Sequence, residues 1–284
     1  MPGPRMRLPA KMNIPGWHWV AHASAPSLWG HLPGEADTIA LGTCVGEARA
    51  WQHWWIDQTQ ARQHPKALPR RRNPLLTAKQ HWVHLEPQAR PQERAWQPAV
   101  AFILPPGTVP LATEHFLIGA VICSEDPGGQ HQPLIIYQHS NRRWLELHLQ
   151  PCGSPATNPV QAWLYSLCAL LNCYLPQTEP HPPRNPLPQA VRHLWRLFAP
   201  GWPQWLGEPQ ATPSLAAMQR ALGVCTDLGD AAPALQDPVL SAGLPWDDWP
   251  QSLWSNAPRA AFWQHDPQGT RLATGTNLND LWPH

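Results

Sequence analysis

Proline recurs along this chain at intervals that no long helix survives. There are 37 prolines in 284 residues, and each one removes a backbone donor and clashes with the preceding helical turn. A coiled coil or an uninterrupted helical bundle is therefore excluded. What remains is a chain of short elements joined by punctuated loops. Disorder would account for the prolines but not for 18 tryptophans, because disordered chains are poor in aromatic residues. With 43% hydrophobic residues, the composition predicts a packed core built largely on indole rings. Charged residues make up 14% and the formal net charge is +1. That balance excludes a strongly basic nucleic-acid binder at the level of the whole chain.

The N-terminus, Met1-Pro2-Gly3-Pro4-Arg5-Met6, leads into no apolar stretch of the kind that marks a secretory signal. Nowhere do 18 apolar residues follow one another, so no membrane insertion is expected. Six cysteines (Cys44, Cys123, Cys152, Cys168, Cys173 and Cys225) are few for a disulfide framework, and none forms a C-x-x-C pair. The expectation is a cytoplasmic protein with buried free thiols.

Residues 1–16 read as an N-terminal arm, and 17–284 as one globular domain. Trp17–Val20 is a first strand or an anchor. Helix is predicted over 45–61, with Ala48, Trp51, Trp55 and Gln58 on one face. Pro65, Pro69 and Pro74 forbid helix beyond it, and Arg70-Arg71-Arg72 sits in that loop as a solvated charge run. Strands are predicted at 82–85, 100–104, 116–122 and 134–137, the last two joined as a hairpin. The alternation in Trp144-Leu145-Glu146-Leu147-His148-Leu149 predicts a half-buried strand. Asn158 and Pro159 open a helix that runs to Tyr174. The stretch 176–187 is broken by Pro176, Pro180, Pro182, Pro183 and Pro186, and 176–250 reads as a proline-rich helical extension. Within it, Leu187–Phe198 and Ser214–Leu222 are helical, the second closed by Gly223. A final hairpin is expected at 260–263 and 271–273.

Signatures of chemistry are sparse. Fifteen histidines invite a metal, and His18/His22 and His81/His84 have helical spacing. Neither pair carries the glutamate of H-E-x-x-H, and no cysteine pair completes a zinc-finger spacing. No metal or cofactor is expected. There is no G-x-S-x-G elbow, no phosphate-binding glycine loop and no dinucleotide fingerprint. A nucleophile could still be assembled from Cys123 or Ser124 with His131 or His139. That arrangement, or a metal-dependent enzyme, is the alternative reading.

Two clusters stand out instead. One is Gly30-His31-Leu32-Pro33-Gly34-Glu35-Ala36-Asp37-Thr38. The other runs from Gly119 through Ser124, Asp126, Gly129 and Gln130 to Pro133-Leu134. On their own they are turn chemistry, with Asp and Ser bonding nearby backbone donors. In order, and with Trp51-Gln52-His53-Trp54-Trp55 and Pro98-Ala99-Val100-Ala101-Phe102-Ile103-Leu104-Pro105-Pro106-Gly107 between them, they resemble the TagF family of type VI secretion accessory proteins. The likeness covers 28–174. Ser252-Leu253-Trp254 adds a weaker match near the C-terminus. This chain departs from the family pattern at Ala36 and Thr38 in the first cluster, and at Cys123, Gln130 and Gln132 in the second. Gln130 stands where the family has arginine, so a bidentate cation is missing there.

The resemblance implies an α/β three-layer sandwich, with a central, largely antiparallel or mixed sheet flanked by helices. It implies no catalysis. The expected role is post-translational repression of type VI secretion through a forkhead-associated scaffold protein or a component of the membrane complex. The contact surface would be built from Trp29, His31, Pro33, Asp37, Ser124, Asp126, Gly129 and Gln130.

Overall fold

The stretch from Phe116 to Ser140 sets the sheet. Ten residues of β4 (Phe116–Glu125) pair with ten of β5 (His131–Ser140), in a continuous register from Phe116↔Ser140 to Glu125↔His131. A computed structural model of the chain describes residues 22–32, 38–63, 98–125, 131–149, 159–174, 186–201, 211–226, 250–265, 271–278 and 281. Around the hairpin it adds β1 (Ser27–His31), β2 (Thr38–Leu41), β3 (Val100–Leu104), β6 (Ala261–His265) and β7 (Arg271–Gly275). The strand order is β2-β1-β5-β4-β3-β6-β7, and every neighbouring pair is antiparallel.

Successive side chains of a strand point to opposite faces, and both faces of this sheet are covered. On β3, Ala101 and Ile103 join one buried cluster while Val100, Phe102 and Leu104 join the other. The second face is closed by α1 (Val45–Gln63). Trp51 is wholly buried there, its ring set against Tyr137 at 5.1 Å and Phe102 at 6.1 Å. The first face carries α2 (Arg142–Leu149), α3 (Pro159–Tyr174), α4 (Leu187–Trp195) and α5 (Leu215–Thr226). Their buried residues share one cluster with Leu28, Ile118, Ile136 and Trp263. The result is the expected three-layer α/β sandwich with an antiparallel sheet. The proline-rich part contributes to the same core, since Trp195 and Phe198 lie 4.9 and 5.3 Å from Trp163 on α3.

Two sequence expectations are corrected. Residues 144–149 form a helix, not a strand. The buried positions are Trp144, Leu145, His148 and Leu149, a helical stripe that the alternation of Leu145, Leu147 and Leu149 conceals. Asn141 fixes the start: its Oδ1 accepts the Trp144 backbone N–H at 2.9 Å, which is the bond an N-cap makes. The second correction concerns Gly223, which does not end its helix. A glycine cap needs a left-handed residue, and among the described residues the positive-φ glycines are Gly30, Gly42 and Gly107. Helix α5 runs on to Thr226, and Cys225 beyond Gly223 is buried with its thiol 3.4 Å from the Ala190 carbonyl.

The expected elements at 17–20 and 82–85, the Arg70–Arg72 run, the Asn158 cap and His18, His81 and His84 lie outside the described residues. Among the described residues the five cysteines are free thiols. Cys168 and Cys225 are buried as expected, Cys123 and Cys173 are half-buried, and Cys44 is exposed.

Candidate functional site

The two motif clusters meet at one end of the sheet. Strand β1 pairs with β5 through Gly30↔Leu134, and β5 pairs with β4 through Cys123↔Pro133. The β1–β2 connection and the β4–β5 connection therefore leave from adjacent strand ends. At that end His31 and Thr38 face each other, with the imidazole Nε2 2.8 Å from the threonine Oγ1.

The motif glycines are there for backbone approach. Gly30 has φ +133°, and a Cβ on it would stand 1.9 Å from the Pro133 carbonyl oxygen. A Cβ on Gly119 would stand 2.0 Å from the Ile136 carbonyl oxygen and 2.8 Å from the Phe102 ring. Both positions hold neighbouring strands together.

Trp29 is not the exposed anchor that the sequence suggested. It is 7% exposed and belongs to the core under α1 with Trp51, Trp54 and Trp55. Its neighbour Leu28 faces the other layer, so strand parity sends Trp29 inward. His31 is half-buried at the strand end. Pro33, Asp37, Asp126, Gly129, Gln130 and the side chain of Ser124 lie outside the described residues.

A second polar cluster, which the sequence did not reveal, sits at the opposite end of β5. Glu47 is the third residue of α1, and its Oε2 accepts the Cys44 backbone N–H at 3.0 Å. That is half of a capping box. The same oxygen accepts the Tyr137 hydroxyl at 3.1 Å, and Tyr137 is also 3.0 Å from Thr43 Oγ1. Thr43 donates to the Leu28 carbonyl at 2.7 Å, and Glu47 Oε1 lies 3.1 Å from His139 Nε2. His115 stands edge-on to His139 with ring centroids 6.2 Å apart. Burial pushes the Tyr137 phenol above its ordinary range; the Thr43 bond opposes this and the Glu47 carboxylate adds to it. The cluster ties helix α1 to β5 and β1. Its only sequence trace is Glu47 three residues after Cys44, because its other links join residues far apart in the chain.

The alternative nucleophile fares poorly with His139. Cys123 faces Pro133, while His139 faces Leu117, six residues back along β4. At about 3.4 Å per residue that is roughly 20 Å, against the roughly 3 Å a proton transfer needs. The ring of His131 lies outside the described residues. Burial also raises the Cys173 and Cys225 thiols to about 11 and lifts Cys168 as well, which suppresses their thiolate forms. Among the described residues no group of three or more His, Cys, Asp or Glu side chains is placed to hold a metal ion. No described helix is long and apolar enough to cross a membrane.

Two further histidines set a pH dependence. Burial lowers the pKa of His22 below 6.5, with His115 adding repulsion. Burial likewise lowers that of His148, which the Trp144 carbonyl partly offsets. Between those lowered values and 6.5 the unfolded chain holds more protons than the folded one. Stability therefore rises with pH across that window, and is lost as pH falls through it. Urea unfolding should give a smaller free energy at pH 5.5 than at pH 7.5. His148→Asn, which keeps a donor near the Trp144 carbonyl without titrating, should flatten that slope. An unchanged slope in the variant would count against His148 as a source.

No protein-family model matches the chain, and no curated protein matches it. Among solved structures the chain is similar to the crystal structure of PA0076 from Pseudomonas aeruginosa PAO1. The identity is 17% and the TM-score 0.37, over 71% of this chain and 78% of that one. A superposition that loose carries no argument.

Proposed function

We propose that this chain is a divergent TagF-like accessory protein of a bacterial type VI secretion system, acting in the cytoplasm as a repressor of assembly or firing. On this reading it is not an enzyme, and it works by binding a forkhead-associated scaffold protein or a component of the membrane complex. The observation that carries the reading is the ordered set of four motif segments between Gly30 and Leu134. What supports its placement is that the first and last of these lie on neighbouring strands, through Gly30↔Leu134. One continuous sheet end would then present the 33–37 and 126–130 connections together. In sequence those connections carry Glu35, Asp37 and Asp126, and Gln130 stands where the family has arginine.

The test is capture of each tagged secretion component by the purified full chain. Asp37→Ala with Asp126→Ala should abolish capture of the scaffold or membrane component while leaving the melting temperature within about 2 °C. Capture unchanged in the double variant would overturn the site. A wild-type chain that captures none of the components would overturn the function.

A further inference from the structure

The outer pair of helices on the thick side of the sandwich carries a feature that the motif surface does not use. Helices α4 and α5 pack on each other and on α3, and between them lies an open groove of about 340 Å³. One wall is the outer face of α4. Gln189, Arg192, His193 and Arg196 line it, at the i, i+3, i+4, i+7 spacing that places side chains in one row. All four are exposed. The other wall is the end of α5, where Val224 is 54% exposed. The floor is closed by Ala190 and Cys225, with the thiol 3.4 Å from the Ala190 carbonyl.

Among the described residues the charge around this groove is one-sided. Residues 186–201 and 211–226 contain Arg192, His193, Arg196 and Arg220 and no Asp or Glu. None of these four cations has an ion pair among the described residues. Arg192 and His193 lie in the last turn of α4, where cations complement the helix dipole. Arg196 is the C-cap of the same helix, so the dipole accounts for three of the charges. It does not account for Arg220, or for an exposed valine one turn after Arg220 on α5.

We propose that the α4–α5 groove docks an acidic peptide segment of a partner protein, with carboxylates on Arg192 and Arg196 and one apolar side chain against Val224. Arginine suits this role because its planar fork donates two parallel N–H bonds to a carboxylate. A nucleic acid fits less well. A phosphate backbone is followed by a long basic track, and here the cations end at an apolar wall. A covalent role is excluded by the Cys225 thiol, which is turned into the floor.

The experiment uses the full chain and a fluorescein-labelled synthetic peptide in which glutamates flank a single leucine. Anisotropy should show saturable binding that weakens as salt rises from 50 to 300 mM, as exposed charge pairs are screened. Arg192→Glu with Arg196→Glu should weaken binding at least tenfold. Val224→Ser should weaken it by about threefold. Arg49→Glu, on the opposite face of the sandwich, should leave it unchanged. All these positions are exposed, and circular dichroism establishes that each variant is folded; Arg192→Gln with Arg196→Gln repeats the test if charge reversal disturbs the fold. No saturable binding, equal affinity in the double variant, or tighter binding of a single-stranded oligonucleotide overturns the proposal. So does a gain in affinity when Asp227, Asp230, Asp237, Asp247 and Asp248 are all changed to asparagine, because the chain's own acidic stretch would then be the occupant.

Discussion

Replacing Gly30 or Gly119 by alanine should cost on the order of 4 kcal/mol of unfolding free energy, more than most single substitutions in a domain of this kind. The reason is where the new methyl would go. At Gly30 it meets the Pro133 carbonyl oxygen at 1.9 Å and the Leu134 Cα at 2.8 Å. These are backbone atoms of a paired strand and cannot swing aside. The backbone φ of +133° adds strain for any L side chain. At Gly119 the methyl meets the Ile136 carbonyl oxygen at 2.0 Å and the Phe102 ring at 2.8 Å. The sheet must open at β4–β5 to admit it. Two other glycines calibrate the effect. Gly42 has φ +71° and a Cβ there would face the Ser27 hydroxyl at 2.9 Å, a side chain that can turn. Gly107 has φ +81° with nothing within 4 Å, so Gly107→Ala carries only the left-handed penalty of about 1–2 kcal/mol. Urea unfolding of the four variants should rank Gly30 and Gly119 as the costliest, then Gly42, then Gly107. If Gly30→Ala is no worse than Gly107→Ala, the close approach of β1 to β5 is wrong.

That ranking bears on how motifs are read. Gly30 and Gly119 stand out in the sequence as parts of two clusters that look like surface turns. The structure assigns them to close contact between strands. Elements are read correctly where period and punctuation agree. Strand β3 ends at Pro105-Pro106-Gly107, and the β4–β5 hairpin follows from two apolar runs around Asp126-Pro127-Gly128-Gly129. Legibility fails where two periods fit one segment. In 144–149 the leucines alternate while Trp144, Leu145, His148 and Leu149 turn inward together. It fails again where a signal is weaker than its context, as at Gly223, which suggests a stop inside a helix that packing continues. Trp29 was legible as a large side chain near a motif, but not as a core residue, since strand parity decides that. The Glu47, Tyr137 and His139 cluster was not legible at all. Its bonds link helix α1 to a strand some ninety positions on, and a single sequence carries no signal for such a pair.

Trp163 is the residue on which the thick side of the sandwich closes, and Trp163→Ala should cost about 3–5 kcal/mol, the range of a buried aromatic truncation. Its ring is fully buried, with Trp195 and Phe198 against it. Its indole N–H donates to Gln138 Oε1 on β5. Gln138 in turn donates from Nε2 to the Ser24 carbonyl at 2.6 Å. One buried amide thus joins α3, the central hairpin and the segment before β1. The polar part can be separated from the packing part. Trp163→Phe keeps most of the ring but leaves Gln138 Oε1 without its donor, at about 1–3 kcal/mol. Gln138→Leu removes the amide and strands both the indole N–H and the Ser24 carbonyl, so its cost lies at the upper end of that range. In the double variant the lost bond is counted once, and the two costs should fall short of adding by about 1 kcal/mol or more. Costs that add to within about 0.3 kcal/mol would mean that the indole and the amide do not depend on each other. The tryptophan would then act by volume alone. A coupled result also predicts a local consequence: amide hydrogen exchange at Ser24, whose N–H donates to the His139 carbonyl, and at His139, whose N–H donates to Ser24 Oγ, should accelerate more in Gln138→Leu than in Trp163→Phe, because only the first releases the Ser24 carbonyl.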